Sequence, residues 1–132
     1  ELIDNKLTEK LFAEFPELYR GRSEPITENL MSFGFSCGDG WFSLIHELSV
    51  KITKHSKEKG LNPKAKQVKQ KMGGLRFYLE GGDTTTDLFC AEAEKCSFTI
   101  CEDCGASGKK QAIAGFTQTL CKKCLEGKYN TK

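Results

Sequence analysis

Leu7, Leu11, Phe12, Phe15 and Leu18 recur at helical spacing and predict a helix over about residues 5–15, with Pro16 near its end. Residues 21–28 are polar and read as a loop. Residues 30–35 read as a short strand or an irregular apolar lead into Cys37-Gly38-Asp39-Gly40-Trp41. Trp41, Leu44, Ile45, Leu48, Ile52 and His55 then share one face of a second helix. Asp39 or a neighbouring glycine is placed to cap its start, Gly60 to cap its end, and Pro63 blocks continuation.

The period then changes from helical to alternating. Val68, Gln70 and Met72 alternate with Gln67, Lys69 and Lys71, and residues 75–79 return after Gly73-Gly74. With the two glycines as the turn, Met72 faces Leu75, Lys71 faces Arg76 and Lys69 faces Tyr78. One face then carries Val68, Met72, Leu75, Phe77 and Leu79, interrupted by Gln70; the other carries Lys69, Lys71, Arg76 and Tyr78. Thr84-x-x-Asp87 resembles a capping box and opens a helix through about Cys96. Residues 97–100 run extended, residues 113–120 suit a small hairpin, and the polar residues 126–132 read as a frayed end.

Four cysteines supply the clearest chemistry. Cys101 and Cys104 form one C-x-x-C knuckle, Cys121 and Cys124 a second, with 16 residues between them. A two-residue spacer lets both thiolates of a knuckle turn onto one ion, and two knuckles complete a tetrahedral four-cysteine zinc site. A redox dithiol needs one such pair, not two. Four protein thiolates leave no position for water or substrate, so one structural zinc ion is expected, holding a segment poor in large apolar side chains. The predicted architecture is α+β: two or three helices packed on a β-hairpin or small antiparallel sheet, with a C-terminal zinc ribbon. Residues 1–96 form the helix–hairpin–helix core and 97–132 the zinc-ribbon subdomain.

Charge alters this picture modestly. The formal net charge is +2, but a divalent ion held by four thiolates carries about −2, which brings the folded protein near neutrality. That weakens the case for non-specific DNA binding, while leaving room for a local basic face. No apolar run approaches the roughly 20 residues of a membrane span. With four of the seven cysteines on metal, Cys37, Cys90 and Cys96 remain as an odd set, which suits a reducing cytoplasm better than a disulfide framework.

Three blocks in order, Cys37-Gly38-Asp39-Gly40-Trp41-Phe42, Lys71-Met72-Gly73-Gly74-Leu75-Arg76-Phe77-Tyr78 and the paired knuckles, resemble a family of small bacteriophage- and prophage-encoded proteins. Phe15-Pro16-Glu17-Leu18-Tyr19 is similar to that family's opening, and the likeness spans roughly residues 15–125. Met72 stands where an aromatic residue is common, a departure that changes packing. The resemblance implies a phage setting and a bacterial cytoplasm, and brings no reaction with it.

Two ligand-binding candidates follow. The Gly38–Trp41 turn offers helix-start amides to an anion, and Trp41 a ring to a base, with Asp39 beside them; the plainer alternative is a capped turn around a buried tryptophan. On the hairpin, Lys71 opposite Arg76 is a like-charge pair that needs an anion or carboxylate, and Lys69 and Tyr78 complete a face for a phosphate-bearing ligand; the alternative is a solvated outer face. His46-Glu47 starts a zincin pattern that Val50 breaks, and neither Gly73-Gly74 nor residues 105–110 complete a P-loop. The expected function is non-enzymatic: binding of an anionic, nucleotide-like ligand or of a host defence protein, as in counter-defence. A nucleic-acid-binding zinc module using Lys109, Lys110, Lys122 and Lys123, and a small enzyme using Asp39, His46 and Cys37, are the alternatives.

Overall fold

The computed structural model describes residues 2–129, the side chain of Ile113 excepted. Helix α1 (Asn5–Glu14) is capped by Asp4, whose carboxylate accepts from Lys6 N at 2.7 Å. After short turns at Arg20–Ser23 and Met31–Phe33 comes strand β1 (Phe35–Ser36), then α2 (Phe42–Lys59), β2 (Lys64–Lys71), β3 (Gly74–Glu80) and α3 (Thr84–Ser97). Strands β4 (Lys109–Ile113) and β5 (Phe116–Leu120) and helix α4 (Lys122–Tyr129) complete the described chain. The architecture is α+β with four α-helices and two small sheets.

The first sheet has the order β1-β2-β3 and is mixed, which corrects the expectation of a purely antiparallel one. Phe35 pairs with Val68 in parallel, and α2 is the crossover between the two strands. A two-residue strand carries too little periodicity to announce itself. Its Phe35 nonetheless sits at the centre of the core, with ring centroids 5.2 Å from Tyr19 and 5.6 Å from Phe12. Tyr19, fully buried, shares its hydroxyl with Ser49 of α2 at 2.6 Å, and burial raises its pKa well above the usual phenol range. Buried Asn29 ties the loop to the sheet by donating to Ala65 O and accepting from Met31 N.

The hairpin turn falls one residue earlier than expected. Met72 and Gly73 form it, both with positive φ (54° and 85°), and Lys71 pairs with Gly74. Gly74 belongs to the strand because Phe98 covers it: a Cβ there would lie 2.6 Å from the ring. The register thus moves by two residues; the strand faces are kept except for Met72, which leaves the apolar face for the turn and is exposed, and the pairs change. Lys69, not Lys71, stands opposite Arg76, and Tyr78 stands opposite Gln67. Met72 pays for its left-handed backbone where asparagine is tolerated, so Met72→Asn should stabilise the fold by roughly 1 kcal/mol. A higher urea midpoint with unchanged slope checks this.

Helix α3 is capped by Asp83, not Thr84. Asp83 N donates to Thr86 Oγ1 at 2.8 Å and Thr86 N to Asp83 Oδ1 at 3.0 Å, closing a capping box. His55 reaches the same carboxylate at 2.8 Å, joining the end of α2 to the start of α3 and holding the Asp83 carboxyl below its usual range. At the other end of the chain, residues 126–129 are helical in α4 rather than frayed, and residues 130–132 of that expectation lie outside the described ones. No helix among the described residues is long and apolar enough to cross a membrane.

Candidate metal centre and the face beside it

The first knuckle is a tight turn directly after α3. Cys101 N donates to Ala106 O at 2.7 Å, Gly105 N donates to Cys101 O at 2.9 Å, and Gly105 takes φ +84°. The hairpin β4–β5 then carries the chain to the second knuckle, where α4 begins and Cys124 N points to Cys121 Sγ at 3.4 Å. All four Sγ atoms of Cys101, Cys104, Cys121 and Cys124 lie within 4.8 Å of one another. The Cys104–Cys121 separation is 3.7 Å. That is far too long for a disulfide, and it matches the edge of about 3.8 Å set by a tetrahedron with metal–sulfur bonds near 2.3 Å.

The thiols are electrostatically unequal. The Cys124 backbone N–H draws Cys121 down to about 7, while the hydrogen bond to Cys121 pushes Cys124 up. A divalent ion would displace the protons that the four sulfurs share. The donor set therefore fits a metal ion, and all four coordination positions of a tetrahedral ion would be filled by the chain.

The core receives this centre through the Cys37–Trp41 block. Gly40 N donates to Glu102 O at 2.7 Å and Gly38 N to the Glu102 carboxylate at 2.9 Å. Trp41 Nε1 donates to Ile100 O at 2.9 Å. Glu102 is almost wholly buried. The group that the Gly38 amide holds is thus the side-chain carboxyl of the chain's own knuckle, 64 residues away in sequence, while the Gly40 amide holds that residue's backbone carbonyl. Leu75 N donates to Ser97 Oγ and Thr119 Oγ1 to Gly73 O, so the hairpin block also meets the metal segment. Motifs that read as separate candidates in the sequence meet around one docking interface.

Two ligand expectations are corrected here. Trp41 is 0% exposed and has no free face for a base. Asp39 is exposed, but its Oδ1 accepts from Asp4 N at 2.8 Å, anchoring the N-terminal segment rather than capping α2. Of the residues weighed for catalysis, Asp39 thus bonds Asp4, His46 bonds Glu14 at 2.9 Å between the rings of Phe15 and Phe42, and Cys37 is buried. Asp39 and His46 do not orient one another.

The hairpin's outer face is assembled as the alternation implied. Arg76 Nε approaches Glu94 of α3 at 3.4 Å, so a carboxylate relieves part of the charge beside Lys69. Lys69 and Lys71 form no ion pair among the described residues. Tyr78 is 41% exposed and borders a pocket of about 320 Å³ with Ile26, Thr27, Leu30, Lys66 and Gln67. The pocket was invisible in the sequence because it joins β2 and β3 to a loop some 40 residues earlier: Lys66 Nζ, paired with Glu80, also donates to Glu28 O, 38 residues away in the chain.

Fold and site together define a small α+β protein with a four-cysteine centre able to hold a metal ion. No family model, no curated protein and no solved structure matches the chain.

Proposed function

We propose that Cys101, Cys104, Cys121 and Cys124 hold one structural zinc ion in a ribbon built on β4 and β5, and that the protein is a non-enzymatic binder of an anionic, nucleotide-like ligand. The four-thiolate donor set supports zinc and leaves it no catalytic position. The ligand would lie on the outer hairpin face. The observation that carries this reading is a half-exposed Tyr78, at the mouth of a pocket, on the same face as Lys69 and Lys71, which form no ion pair among the described residues. A flat ring beside cationic side chains suits a base and its phosphate. Arg76 would contribute by exchanging Glu94 for ligand phosphate. The resemblance to phage-encoded proteins supports a counter-defence setting in a bacterial cytoplasm, where such a binder would sequester a signal.

Zinc-loaded protein incubated with pooled cyclic and linear nucleotides, desalted and denatured should release one unaltered nucleotide, identified by mass spectrometry. Lys69→Ala and Tyr78→Ala should each cut its recovery about tenfold, the size of one lost charge-assisted or stacking contact. Recovery of an altered nucleotide would mean an enzyme. No recovery at all would sink the small-ligand reading and turn attention to a host protein.

A further inference from the structure

A second surface lies at the opposite end of the hairpin, where its tip meets the tip of β4–β5. We propose that the groove between the two tips is a docking site for a short run of single-stranded nucleic acid, with bases packed against Phe116 and Met72. The groove encloses about 540 Å³, and its walls include Gln70, Met72, Phe116, Thr117, Gln118 and Tyr129. Phe116 (67%) and Met72 (62%) are the two most exposed large apolar side chains among the described residues. Each stands at a two-residue turn with consecutive positive φ, Met72-Gly73 and Ala114-Gly115, so both are displayed on stiff supports.

The walls are fixed before any ligand arrives. Gln70 Nε2 donates to Thr117 O at 3.2 Å, and the Tyr129 hydroxyl donates to Gln118 Oε1. The same bonds decide between occupants. Thr117 O and Thr119 O lie on the open edge of β5 and are already taken, the second by Glu102 N at 2.9 Å. A peptide strand therefore cannot add to the sheet here. Charge decides the rest. Among the described residues no carboxylate lines the groove; Lys128 does, ion-paired with Asp103 at 3.3 Å, and exposed Lys71, the residue before Met72, has no ion pair among the described residues. Lys110 adds a third cation over the Phe98 ring at 4.9 Å. Apolar and aromatic platforms with three lysines nearby against the single carboxylate of Asp103, which Lys128 already neutralises, fit a single strand. A duplex buries its bases and cannot use the platforms.

The test is fluorescence anisotropy of the zinc-loaded full chain with short fluorescein-labelled oligothymidylate and oligouridylate, beside a duplex and a labelled oligoglutamate peptide. Saturable binding of a single strand is expected, with Phe116→Ala and Met72→Asn each weakening it about fivefold or more. Met72→Asn favours the turn, so its loss of binding cannot come from misfolding. Lys71→Gln should flatten the salt dependence. Tyr78→Ala should leave this binding intact, separating it from the nucleotide reading above. Preference for either oligonucleotide supports the proposal and names the strand as RNA or DNA. Absence of saturable binding, equal binding of the duplex or the acidic peptide, or indifference to both tip substitutions would overturn it.

Discussion

Replacing Gly40 with alanine should destabilise the protein by about 3–5 kcal/mol, from overpacking and two weakened hydrogen bonds. A Cβ at this position would lie 2.2 Å from Cys101 O, 2.6 Å from Glu102 O and 2.6 Å from Gly105 N. All three obstacles are backbone atoms of the first knuckle, so no side chain can swing aside. To make room, the knuckle must lift off the core, which breaks Gly40 N to Glu102 O and pulls Gly38 N from the Glu102 carboxylate. Against a typical stability of about 5–15 kcal/mol, the loss is large enough to threaten folding at moderate temperature. Gly127→Ala is the control: nothing lies within 4 Å of its Cβ, and alanine favours α4, so the expected change is neutral or stabilising. Urea midpoints of the two variants should move apart. Equal midpoints would mean that the close approach at Gly40 carries no weight.

What the sequence disclosed follows from how far apart the interacting residues lie. Helices α1 and α2 were legible because their apolar stripe repeats locally, and the left-handed Gly60 marks the end of α2 as its type suggests. The cysteine centre was legible because the two-residue knuckle spacer is itself the metal geometry. The start of α3 was misplaced by one residue, since Asp83 as a cap is reinforced by His55, which only the tertiary fold brings near. The hairpin register slipped for a similar reason. Gly73-Gly74 is the better turn taken alone, but Gly74 is needed under Phe98, and Met72 accepts the strained position instead. The Cys37–Trp41 block was read as a place for an anion. An acceptor is present there, and it is the Glu102 carboxyl of the knuckle, held by Gly38 N. A carboxyl between two of the four clustered cysteines was the available signal, and no local pattern connects it to the amide at Gly38.

This linkage sets the expected response to metal removal. Trp41 is the only tryptophan, and its indole donates to Ile100 O, one residue before Cys101. If the proposed zinc ion holds the knuckles, stripping it with a chelator under reducing conditions should free Cys101–Cys124 from the core. Trp41 would then be opened to water, and its emission should shift to the red. Structural zinc contributes about 10–16 kcal/mol in isolated zinc-finger peptides, as much as the whole stability of a typical domain. The aromatic cluster of Phe12, Tyr19 and Phe35 lies outside the knuckles and should keep much of the helical signal. The metal-free state is therefore expected to retain far-ultraviolet circular dichroism while losing cooperative unfolding at the C-terminal end. Adding zinc back should restore the emission, with release of protons from the thiols and weaker uptake as pH falls, because protons compete for the same sulfurs. An emission maximum that stays unchanged on complete metal removal would show that the knuckle docks without its ion. The bonds from Gly38, Gly40 and Trp41 would then hold the segment alone, and the centre would need a role other than stapling.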